Sequence, residues 1–182
     1  MSAQMQIVDK TAPRYATVTD YFRIFAEDMD SLYFLAFLLT ADSDKAEECF
    51  VGGLEECIDR DSVSMAAARS LTRRAIVKEA IRKIGPAPKE GANRSFVISE
   101  SPATPGASNP FAFIVSLHAF ERFVFVMSVL EGQPDEDCQS LLSCSRQEVV
   151  VARKVAMMMF GAPNRRYDLD QEGLFSWPKI LN

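Results

Sequence analysis

The chain of 182 residues contains a single histidine, His118, so the side chain most used as metal ligand and general base is nearly missing. Cysteine is sparse too. Cys49 and Cys57 are eight apart, and Cys138 and Cys144 are six apart. Neither pair has a CxxC spacing, so no zinc site is expected, and the four read as small apolar residues in a reducing compartment. No stretch approaches the roughly 18 uncharged apolar residues of a membrane span. Residues 1–14 are interrupted by Gln4, Gln6, Asp9, Lys10 and Pro13, which excludes a secretory apolar run and predicts a cytoplasmic protein. There is no phosphate-binding loop, no dinucleotide fingerprint and no metal-binding helix pair. Candidate nucleophiles lack an evident base. No catalytic residue, cofactor or metal is therefore predicted, and an enzyme is disfavoured.

Positive charge is also in short supply. The net charge is -5 and the isoelectric point about 5.0, so any nucleic-acid surface must be concentrated in one place. Apolar residues make up 48% and charged residues 25%, the balance of a folded globular chain.

Where apolar residues recur, they do so at helical spacing. Residues 15–85 read as three helices. The first opens near Thr19 and Asp20 and carries Phe22, Phe25, Met29, Leu32, Leu35 and Leu38. The second spans about 43–59, with Gly52 and Gly53 inside it. Each glycine costs about 1 kcal/mol relative to alanine, so this helix is expected to be kinked or weak. The third starts at Asp61 or Ser62 and runs to Ile84, with Gly85 as C-cap and Pro86 as a stop. Residues 86–109 hold four prolines and two glycines and read as a linker with an apolar, β-like middle at 95–99. Residues 110–162 read as helical again. Pro110 opens a run through Phe113, Leu117, Phe120, Phe123 and Leu130, Gly132 stops it, and two shorter helices at 134–142 and 145–160 follow. A tail at 163–182, with Leu174, Phe175, Trp177, Ile180 and Leu181, is expected to pack back onto its own domain. The fold class predicted is all-α: two helical modules and a proline-rich linker.

Two patterns carry functional weight. A short helix, a three-residue turn at Ser143-Cys144-Ser145 and a longer helix opened by Ser145 and Glu148 make the layout of a DNA-reading helix-turn-helix. On the longer helix, Val149, Val151, Ala152, Val155, Ala156 and Met159 form the apolar side. Arg146, Gln147, Val150, Arg153, Lys154 and Met157 form the other, and these cations and the glutamine suit phosphates and base edges. The second pattern is the basic stripe Arg74, Lys78 and Arg82 at i, i+4 spacing, a candidate contact for DNA or an acidic partner. An ordinary solvated helix face would look the same in either place.

The segment Leu32-Tyr33-Phe34-Leu35-Ala36-Phe37-Leu38-Leu39-Thr40, then Asp42 and Ala46-Glu47-Glu48, resembles the core-binding module of extracytoplasmic-function sigma factors. Phe120-Glu121-Arg122-Phe123, Leu130-Glu131-Gly132 and Leu141-Leu142-Ser143-Cys144-Ser145 resemble the approach to that family's helix-turn-helix. The resemblance implies a sigma region 2-like three-helix domain at 15–85 and a sigma region 4-like domain at 110–162. It implies contact with core RNA polymerase around Ala46, Glu47, Phe50 and Leu54, with the -10 element through the third helix, and with the -35 element through residues 145–157. The chain departs from the pattern. Cys49-Phe50-Val51-Gly52-Gly53-Leu54 stands where the family usually has Leu-Val-Gln-Glu-Thr-Phe, and residues 62–71 supply no aromatic. The implied role is a divergent sigma-like transcription regulator with weakened promoter-DNA binding. The alternative is a sigma-fold interaction module, a decoy or adaptor binding an anti-sigma factor.

Overall fold

The computed structural model describes residues 14–60, 63–88 and 110–160. The predicted β-like segment at 95–99 and the tail at 163–182 lie outside them. The described residues form eight α-helices and no strand; one isolated bridge joins Tyr15 to Ser64. The chain is all-α.

The first helical run splits in two, giving four helices where three are expected: α1 (Val18–Glu27), α2 (Met29–Thr40), α3 (Ser43–Ile58) and α4 (Met65–Ile84). The break falls at Asp28, which leaves helical geometry at φ −103° and ψ 13°. Arg69 of α4 pairs with both Glu27 and Asp28 and holds the corner. The cap of α1 is Thr17 and not Thr19 or Asp20. Its hydroxyl accepts from the Asp20 amide, while Asp20 accepts from the Thr17 amide at 3.1 Å, a reciprocal capping box. Helix α2 is the central helix of this group, burying Leu32, Leu35, Ala36, Leu38 and Leu39. It ends at Ala41 in the left-handed region, φ 56°, and Asp42 then caps α3 by accepting from the Asp44 and Lys45 amides at 3.0 Å each. Helix α4 starts at Met65, later than the sequence suggests, and ends at Gly85 with φ 60°.

Helix α3 runs unbroken through Gly52 and Gly53. The helix continues where a break is expected, and the glycines let α3 and α4 approach closely. A β-carbon on Gly53 would lie 2.7 Å from the Ile76 Cδ1 and 3.3 Å from the Ile76 amide nitrogen. One on Gly52 would lie 2.8 Å from the Glu79 carboxyl carbon. Burial of Ile76, Val77 and Ala80 against α3 offsets the propensity cost of the two glycines.

In the second group, α5 (Pro110–Ser116) stops at Leu117, and α6 (Ala119–Phe125) restarts after His118, which stands at its N-cap. A π-helical turn, Val126–Leu130, follows. α7 (Asp135–Leu142) and α8 (Arg146–Phe160) complete the fold.

The two groups share one hydrophobic core. Helix α2 packs on α5 and α6, and Phe34 meets Phe111 edge-on at 4.7 Å. Arg122 of α6 is buried at this seam. Its guanidinium donates to the carbonyls of Leu39 at 3.0 Å and Thr40 at 3.3 Å, at the end of α2. It also donates to Val115 at 3.3 Å and Leu117 at 3.1 Å, at the end of α5. Burial lowers its pKa from the ordinary guanidinium value. The negative ends of two helices stand in for a carboxylate partner. A second tie crosses the seam at Arg73, which grips the Glu131 carboxylate with two bonds of 2.6 and 2.9 Å.

Candidate nucleic-acid interface

Helices α7 and α8 meet through a tight turn. Ser143 takes the left-handed conformation, φ 51°, and the Cys144 amide returns to the Gln139 carbonyl at 3.1 Å. At the start of α8, the Glu148 carboxylate accepts from the Ser145 amide and hydroxyl, both at 2.7 Å. The Ser145 hydroxyl in turn accepts from the Glu148 amide at 3.3 Å. The bonds from Ser145 hold the Glu148 pKa below its ordinary value. Val149, Ala152 and Ala156 anchor α8 against α6 and α7. Met159, expected on the apolar side, is 46% exposed.

The opposite face carries the predicted contact residues, and they differ in freedom. Arg146, Gln147, Val150 and Lys154 are exposed. Arg153 is not free: it pairs with Asp135 in the first turn of α7, and its Nε is buried without a partner among the described residues. The same carboxylate stands 4.0 Å from the Arg146 Nε. Sequence reasoning missed Asp135. The signal was the acidic run Asp135-Glu136-Asp137, which favours a helix N-terminus and also lies beside the recognition helix.

The predicted basic stripe on α4 is neutralised by the chain itself. Arg74 faces Asp137 at 3.7 Å, and Lys78 donates to Glu56 at 3.2 Å. Arg82 lies 3.4 Å from Glu56 and also pairs with Glu79. Burial pushes the Glu56 pKa up, but hydrogen bonds from Arg60 and Lys78 outweigh it and hold the pKa below its usual value. Arg69, Arg73 and Lys83 pair as well, so all six cations of α4 have carboxylate partners. A periodic stripe predicts a shared face; it does not reveal which acids the neighbouring helices bring to it.

Of the predicted polymerase-facing residues, Ala46 is fully buried and cannot meet a partner directly. Phe50 and Leu54 are half-buried, Phe50 edge-on to Phe25 at 5.2 Å. Only Glu47 is exposed. The outward positions of α3 are Ser43, Asp44, Lys45, Glu47, Glu48, Val51 and Glu55, a face with four acids, one cation and one apolar residue. The reason is a rotation of the helix: the glycine contact with α4 turns the Ala46, Cys49, Gly53 and Cys57 edge inward.

Cys49, Cys57 and Cys138 are buried free thiols with pKa values pushed up to about 11 by burial, so none is a thiolate at neutral pH. No group of three metal-ligating side chains occurs among the described residues, and no helix among them is long and apolar enough to cross a membrane. Neither protein-family models nor curated proteins match this chain.

Proposed function

We propose that the chain is a divergent sigma-like transcription regulator that meets promoter-like DNA through α8 and docks on core RNA polymerase through α3. The observation that carries this reading is the α7–turn–α8 unit. A doubly closed cap fixes the start of α8, and Arg146, Gln147, Val150 and Lys154 point outward from it. With Arg153 held by Asp135 and Arg146 4.0 Å from the same carboxylate, at most two cations of the helix meet phosphate, so DNA binding is weak and its salt dependence shallow.

A second reading has its own support. Every cation of α4 is neutralised internally and the outward face of α3 is acidic. Both suit a sigma-fold interaction module that binds an anti-sigma factor and reads no promoter. Binding of the full chain to core polymerase and to promoter-like DNA, at low and moderate salt, separates the two. A regulator binds core, binds DNA at low salt, loses DNA with Lys154→Ala and gains affinity with Asp135→Asn, which frees Arg153. If the chain binds neither core nor DNA, the sigma-like regulator is wrong and the interaction module stands.

A further inference from the structure

The outward stripe of α8 is only half polar. Arg146, Val150 and Met157 follow one another along it, flanked by Gln147, Lys154 and Met158. Val150 is 46% exposed and Met158 60% exposed, and Met157 stands open beside them. A surface that only touched phosphates would not keep three large apolar side chains in water. Cations flank the stripe, so it suits an occupant that alternates apolar and acidic residues.

The sequence that follows α8 has this composition. Residues 161–182 are 22 in number. Between Arg165-Arg166 and Lys179, Asp168, Asp170 and Glu172 alternate with Tyr167 and Leu169 and are followed by Leu174, Phe175 and Trp177. The segment begins where the stripe ends. Helix α8 rises about 21 Å from Phe160 back to Arg146, at about 1.5 Å per residue. An extended chain covers that distance with about seven residues. Pro163 and Asn164 favour a turn directly after the helix.

We infer that residues 167–177 fold back along α8 and cover the stripe, with Asp168, Asp170 and Glu172 facing Arg146 and Lys154 and the apolar residues of the tail on Val150, Met157 and Met158. The competing apolar surface is Val18, Phe22 and Met29 on α1 and α2. The cations beside it, Arg23 and Arg69, are already paired with Asp20, Glu27 and Asp28, so they offer an acidic segment less than Lys154 does. Tail and DNA then compete for one face of α8. The docking itself holds whether α8 serves DNA or protein, and its test reads the tail alone.

Trp177 is the only tryptophan, so its emission in the full chain reports the tail. The unaltered protein gives blue-shifted emission poorly quenched by iodide. The double variant Val150→Glu, Met157→Glu moves the emission to the red and raises quenching several-fold, with far-UV circular dichroism unchanged. The triple variant Asp168→Lys, Asp170→Lys, Glu172→Lys leaves the helical body untouched and gives the same shift, which protects the test against a stripe variant that fails to fold. Phe22→Glu changes nothing. Solvent-exposed emission in the unaltered chain overturns the proposal, as does shielding that survives the triple variant or release by Phe22→Glu. Shielding that disappears on dilution together with a dimer assigns the stripe to a second copy and overturns it equally.

Discussion

Arg122 and Glu148 show how single side chains hold this fold. Arg122 satisfies four carbonyls from two helix ends, and no other donor reaches them among the described residues. Each orphaned carbonyl costs about 1–3 kcal/mol, so Arg122→Met is expected to remove at least about 3 kcal/mol in urea unfolding. Arg122→Lys restores only part of it, because a compact ammonium cannot fork between two helices. Glu148 behaves differently. Its folded pKa is lowered, so its contribution to the α8 cap is complete above its ordinary value of 4.5 and is lost as pH falls through the lowered one. Glu148→Gln should make the acid limb of a circular-dichroism titration shallower. A wild-type titration with no acid-side loss that Glu148→Gln removes would contradict this account.

Among the elements, the α3–α4 contact decides most. The two glycines differ in what a side chain would strike. At Gly52 the obstacle is the end of a flexible glutamate; at Gly53 it is Ile76 down to its backbone nitrogen. Gly52→Ala is expected within about 1 kcal/mol of the native chain, since alanine's helix preference offsets displacement of Glu79. Gly53→Val should cost about 1–3 kcal/mol through overpacking. Equal losses at both positions, measured by thermal unfolding, would show that close approach is not what the glycines provide. The helices themselves were legible in the sequence because apolar spacing and caps report them: Ser145 with Glu148, Gly85, and the stop at Gly132. The break at Asp28 was not legible, because the apolar spacing continues across it and Arg69, 41 residues away, secures the corner. The face that α3 presents was hidden for the same reason. Which edge turns inward depends on where α4 lies.

At the scale of the whole molecule, the two helical groups share a core through Leu39, Ile114, Leu117 and Phe120, and Arg122 and the Arg73–Glu131 pair span the seam. They should unfold together. Urea transitions followed by circular dichroism and by hydrogen exchange in α3 and in α8 are expected to coincide. Leu39→Ala is expected to shift both, by about 2–5 kcal/mol. Exchange that frees α8 well before α3 would show two independent units. Contacts of this range were invisible in the sequence, where the proline-rich stretch between the groups signalled only separation.

The pairing of Arg153 with Asp135 changes how this surface can gain free energy from nucleic acid. A bare arginine on a phosphate lets a condensed sodium ion escape from the duplex into bulk solution, and that entropy drives much of the binding. Arg153 already holds a tethered counterion. A phosphate that displaces Asp135 leaves a carboxylate fixed nearby, repelling the incoming charge. The six arginines and lysines of α4 are in the same condition. Such a surface acts as an internally compensated polyelectrolyte: charged, and yet with little ion-release entropy to offer to a strand of DNA.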